Sequence, residues 1–130
     1  MDLSLDRPEG YFFVRRVDAD HIVVVDRKLH QSFLLSPEGA IENWPIDDAR
    51  TLAASHVAAL LALQPELVIL GTGQRQVFPA AAFMAGFLRQ QIGIEVMDNA
   101  AAARTYNLLA GEGRRVVAGF ILPSKTKDNP

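Results

Sequence analysis

The sequence predicts an α/β domain built on a mixed, largely parallel central sheet, and three observations predict it. After residue 65, short apolar β-type runs alternate with longer stretches of helical period. The links between them are short, which is the pattern of parallel strands joined by right-handed crossovers. The first 44 residues read instead as N-terminal β-hairpins, which must extend that sheet or pack a second one against it.

The elements follow in order. Tyr11-Phe12-Phe13-Val14 and His21-Ile22-Val23-Val24-Val25 are aromatic and β-branched runs parted by Asp18-Ala19-Asp20, a hairpin signature. Residues 31–35 and 40–43 form a second pair around Ser36-Pro37-Glu38-Gly39, where proline presets the first central turn position. Asp47 or Asp48 then caps a helix whose apolar positions Leu52, His56, Ala59, Leu60 and Leu63 recur every three or four residues, until Pro65 stops it. The C-terminal βαβαβ unit begins with a strand over 67–70. A helix opens at Pro79, sets Phe83 and Phe87 on one face, and ends at Gly93 as a left-handed cap. A strand over 94–97, a helix from 99 to 110, a Gly111-Glu112-Gly113 break and a strand over 115–121 complete it.

With 130 residues and 49% hydrophobic content, the chain is expected to be one domain over 1–122, with a disordered polar tail at 123–130. Its 13 basic and 15 acidic residues nearly cancel, and Arg15-Arg16, Arg27-Lys28 and Arg114-Arg115 form no continuous stripe. A nucleic-acid partner is not expected. The absence of cysteine excludes disulfides, thiolate metal sites and a cysteine nucleophile. The amino terminus lacks the basic start and apolar core of a secretory leader, and the apolar region 57–70 is interrupted by Gln64-Pro65-Glu66. A cytoplasmic protein without a membrane span is the expectation.

The residues that could carry chemistry gather around Gly71-Thr72-Gly73. Gly71 and Gly73 fill two places of a dinucleotide-binding turn, but Gln76 stands at the third and no Gly-Lys-Ser/Thr follows. The glycines therefore permit either a sharp strand exit or a ligand turn of another kind. Asp98 ends the next strand, so parallel pairing brings it to the same edge, either as a helix cap or as a ligand contact. Arg104 belongs to a polar quartet, Arg104-Thr105-Tyr106-Asn107, that cannot share one helix face. With Arg75 it could form an anion site; otherwise Arg104 is ion-paired and Asn107 is bonded to backbone. Glu95 implies an edge strand or a solvated groove. His56 reads as a packing residue, and the spacings of His21 and His30 match no metal motif. Ser32, Ser36 and Ser55 stand outside any nucleophile elbow.

LVILGTG, the later Phe78-Pro79, and GIEVMDNAAAARTYNLLAGEGRRVVAGFIL resemble an uncharacterised family of small domains. That family includes the mitochondrial NADH:ubiquinone oxidoreductase (complex I) assembly factor three and the adipogenesis-associated domain protein. The resemblance covers about residues 33–122 and implies a three-layered fold with a mixed sheet and an extra β element. The matching positions are Gly71, Thr72, Gly73, Phe78, Pro79, Glu95, Asp98, Arg104, Thr105, Tyr106, Asn107, Glu112 and Gly113. Asn99 stands where the family usually has threonine.

Two functions follow as expectations. The first is a non-catalytic module for a protein partner or for assembly, with no cofactor and no metal. The second is a small-molecule or anion pocket, with or without catalysis, at the strand ends around Gly71, Thr72, Gly73, Arg75, Asp98, Arg104 and Asn107.

Overall fold

A computed structural model describes residues 10–124. Within them the order is β1 (Val14–Val17), β2 (Ile22–Val24), β3 (Arg27–Leu29), β4 (Phe33–Ser36), β5 (Gly39–Ile41), α1 (Val57–Leu61), β6 (Leu67–Gly71), α2 (Ala81–Leu88), β7 (Gly93–Met97), α3 (Asn99–Gly111) and β8 (Val116–Phe120). Apart from Pro123 and Ser124, the expected disordered tail lies outside the described residues.

The main sheet has the order β5-β4-β8-β6-β7. Its right half is parallel, β6 pairing with β7 and with β8, while β4 runs antiparallel to β8 and β5. Strands β1, β2 and β3 form a separate antiparallel sheet. The expectation of a mixed sheet with a parallel βαβαβ half and amino-terminal hairpins therefore holds. The hairpins do both things open to them, one joining the main sheet and the other packing over it.

Alternation along the strands sorts the core into two layers. Ile69, Val116, Ala118 and Phe120 point to one face, where they meet Ala102 and Tyr106 of α3 and Val14, Ile22 and Leu29 of the small sheet. Val68, Leu70, Val117 and Ile121 point to the other, against Trp44, Leu60 of α1 and Phe83 and Phe87 of α2. Helices thus cover both faces of the parallel strands, which explains why those strands are apolar throughout.

Three local expectations need correction. The helix expected to run from a cap at Asp47 or Asp48 until Pro65 is broken into 3-10 turns at Ala49–Thr51 and Ala54–His56 before the short α1. Asp48 does cap, accepting from the Arg50 amide at 2.9 Å. The Thr51 hydroxyl, however, donates back to the Asp48 carbonyl, and His56 Nδ1 accepts from the extended Ala53 amide. Such side-chain bonds to the local backbone compete with continuous helix. Second, Gly93 is no cap. The left-handed residue after α2 is Gln91, at φ 62, with the Ile92 amide closing back onto the Phe87 carbonyl, a Schellman-type ending two residues early. Third, the first hairpin strand, expected over Tyr11 to Val14, is Val14–Val17, and the hairpin gains a further strand, β3, whose sequence Arg-Lys-Leu has too little apolar alternation to announce it. Its register against β2 supplies the structure instead.

Candidate functional site

Because β6 runs parallel to both neighbours, Gly71 lies opposite Met97 on one side and Phe120 on the other. The glycine corner and the aspartate corner therefore share one rim, at the carboxyl ends of three strands.

The two glycines serve different ends. Gly71 is still in β6, and a β-carbon there would stand 2.5 Å from Asn99 Oδ1 and 3.1 Å from both Ala102 Cβ and Phe120 Cδ1. It is glycine because α3 starts directly over it. Gly73 takes φ 106, a conformation that L side chains rarely adopt. Between them Thr72 organises the loop, its hydroxyl donating to the Arg75 carbonyl at 2.6 Å and accepting from the Val77 amide at 3.0 Å. The Gln76 side-chain Nε2 donates to the Val96 carbonyl on the edge strand β7 at 2.8 Å, tying the loop to that edge.

Asp98 caps α3, its Oδ1 accepting from the Ala101 amide at 2.8 Å. The adjoining residue does more. Asn99, only 4% exposed, accepts from the Gly73 amide at 3.1 Å and donates to the Ile121 carbonyl at 3.0 Å, while its own amide bonds to the Gly73 carbonyl. One side chain thus joins the exits of β6 and β8 to the start of α3. In the sequence Asn99 reads as a second possible cap beside Asp98 and as a departure from the family pattern. The available signal was its place two residues after a strand that ends beside two glycines.

The remaining candidates stand elsewhere. Arg75 is exposed on the glycine loop. Arg104 is exposed, and six residues along α3 at 1.5 Å rise place it about 9 Å from Asp98 along the helix axis. Asn107 turns away from the rim to β1, accepting from the Val14 amide at 2.9 Å and donating to the Val14 carbonyl at 2.8 Å. Beside it the Tyr106 hydroxyl donates to the Phe12 carbonyl at 2.8 Å. Burial pushes the Tyr106 phenol well above its ordinary pKa, with nearby Tyr11 adding to the shift. These two residues fasten the small sheet across α3.

Glu95 is exposed on β7, the edge strand. Ser32, Ser36 and His56 have structural partners, Ser32 accepting from the Leu122 amide at 2.8 Å. One cluster was hidden from sequence spacing: β2 and β3 bring the His21 and His30 rings within 5.5 Å.

Fold and rim together define a three-layer α/β domain whose strand-end polar groups are largely engaged in its own architecture. The chain belongs to the family described as "Protein of unknown function (DUF498/DUF598)", which matches residues 14–121. A solved structure of XCC1710 from Xanthomonas campestris superposes with a TM-score of 0.79 at 44% identity, covering 94% of this chain and 92% of that one. NADH dehydrogenase [ubiquinone] 1 alpha subcomplex assembly factor 3 of Danio rerio is 29% identical over 86 residues, covering 65% of this chain but 49% of the fish protein. The "13 kDa major membrane protein" of Francisella tularensis subsp. holarctica is 29% identical over 105 residues, covering 81% of this chain and 85% of that protein. Among the described residues of this chain, no helix is long and apolar enough to cross a membrane.

Proposed function

We propose that this protein is a non-catalytic binding module that holds a protein partner on the outer face of α2, working in the cytoplasm as an assembly factor does. The observation that carries this reading is the character of that face. From Val77 to Leu88 the chain contains no charged residue. Phe83 and Phe87 bury one side of the helix completely. Ala81, Ala85 and Leu88 recur at four and three residues on another side. An amphipathic surface helix would place charge there, yet Leu88 is 59% exposed and the preceding Phe78 62% exposed. Contiguous exposed apolar surface marks interaction sites, and Phe78 and Leu88 bracket this uncharged stretch. The relation to the assembly factor of Danio rerio supports the same reading.

A small-molecule or anion site at the strand ends is the weaker alternative. The hydrogen-bonding groups of Thr72, Asp98 and Asn99 are engaged within the chain, and Arg104 and Asn107 do not converge on them. The surface grooves lined by Tyr11 and Arg27, by Gln64 and Arg114, and by Trp44 and Leu122 contain none of these residues.

The test places a photo-crosslinking amino acid at Ala82, which is exposed on α2, with Lys28 on the far hairpin as control. The expected result is one defined protein adduct from position 82, lost in Phe78→Ser and Leu88→Ser chains that keep wild-type melting. An adduct that persists in both variants, or equal labelling from position 28, would overturn the proposal.

A further inference from the structure

The geometry points to a divalent transition-metal site on the β2–β3 hairpin, formed by Asp20, His21 and His30, with zinc the fitting occupant. This site lies in the small sheet and is independent of the α2 face.

The hairpin register builds it. Ile22 pairs with Leu29, so His21 and His30 are the next cross-strand pair, just beyond the ladder. The Asp18 amide bonds to the His21 carbonyl at 2.9 Å, and this tight turn brings Asp20 back beside His21. As a result, one donor atom from each of Asp20, His21 and His30 lies within 4.8 Å of the others.

The chemistry of the donors fits. Two imidazoles and a carboxylate are the ligand set of open zinc sites, with water completing a tetrahedron. Bonds of about 2.0–2.2 Å put tetrahedral donors about 3.4 Å apart, so the widest pair must close by roughly an ångström. His30 and Asp20 are exposed, so their side chains have room to rotate toward that geometry. His21 Nδ1 lies 2.8 Å from Asp20 Oδ1, a hydrogen bond that an ion would replace as the two donors part to about 3.4 Å.

A further observation concerns the ring nitrogen turned away from the proposed ion. His21 has a side chain only 12% exposed, and its Nε2 is buried without a hydrogen-bond partner. Asp18 Oδ2 is 3.1 Å away but poorly aligned to accept, and is also bonded by Arg16 Nε at 2.9 Å. Once Nδ1 binds a metal, Nε2 must carry the proton, and a small turn of the ring aims it at Asp18. That arrangement is the carboxylate–histidine–metal relay by which a carboxylate not bound to the ion fixes the tautomer of one that is. The site therefore has three ligands and an orienting group, Asp18. Imidazole nitrogen donors also favour copper and nickel, whereas magnesium and calcium, which require oxygen ligands, are excluded.

The experiment titrates zinc into the full chain by calorimetry and follows the three imidazoles by ¹H–¹⁵N spectroscopy. The expected result is one zinc per chain, with the His21 and His30 signals moving and His56 unchanged. Asp20→Asn and His30→Ala, both at exposed positions, are expected to weaken binding at least tenfold while the melting temperature without metal stays within a few degrees. Asp18→Asn is expected to lose about tenfold to a hundredfold in affinity without losing stoichiometry. Absence of zinc uptake by the wild-type chain, uptake equally strong in His30→Ala, or zinc shifts confined to His56 would each overturn the proposal.

Discussion

The Oδ1 of Asn99 stands 2.5 Å from the point where a β-carbon on residue 71 would lie, so Gly71 and Asn99 fit as a pair. The absence of one side chain makes room for the other. This relationship sets the height of α3 over the sheet, and through Ala102 and Tyr106 it sets the packing of the larger core layer.

Both members of the pair should therefore be costly to change. Asn99→Ala strips partners from the Gly73 amide and the Ile121 carbonyl, and an unsatisfied buried group costs about 1–3 kcal/mol. Gly71→Ala must displace the Asn99 amide, and the expected loss is of similar size, about 1–3 kcal/mol. Since the second change removes nothing the first has not already disturbed, the double variant should be less destabilised than the sum. Urea melts of the four proteins give the coupling. Strict additivity would show that the two positions do not act through one another.

Tyr106 gives a pH-dependent expectation. Its folded pKa is raised above the ordinary value of 10.0 by burial, so the folded chain favours the neutral phenol. The stability this contributes is complete below pH 10 and declines as pH climbs above it. Tyr106→Phe should lose about 0.5–1.5 kcal/mol at pH 8, because the Phe12 carbonyl loses its donor. The same variant should lose less stability than wild type between pH 8 and pH 11. Denaturant melts at the two pH values decide it, and parallel losses would mean that this phenol is not the group responsible.

How much of this was legible in the chain depends on whether the cause was local. The parallel strands announced themselves because Val68, Ile69 and Leu70 are buried on both faces and glycines punctuate their ends. From the parallel order alone, Gly71 and Asp98 had to meet at one rim. What stayed hidden came from single side chains acting on backbone. The break before α1 rests on His56 holding the Ala53 amide, whereas the apolar period runs through it unbroken. The direction of Asn107 depends on β1, 93 residues away. The meeting of His21 with His30 needed β3, whose Arg27 and Lys28 are exposed and leave no strand-like alternation.

The ending of α2 shows the same principle and yields the last expectation. A left-handed residue was needed between α2 and β7, and glycine is the residue that takes this conformation without steric cost. The chain instead places Gln91 there at φ 62, with Gly93 two positions on, inside β7. A non-glycine left-handed residue costs roughly 1–2 kcal/mol, partly offset by the larger freedom that glycine restores to the unfolded chain. Gln91 is exposed, so its side chain contributes little packing that would be lost. Gln91→Gly should therefore stabilise the protein by about 0.5–1 kcal/mol, seen as a melting temperature a few degrees higher. Gly93→Ala, which adds a β-carbon 3.1 Å from Leu67 Cδ1, should be neutral to mildly destabilising. A Gln91→Gly chain that melts below wild type would show that the side chain, not the backbone conformation, governs this helix end.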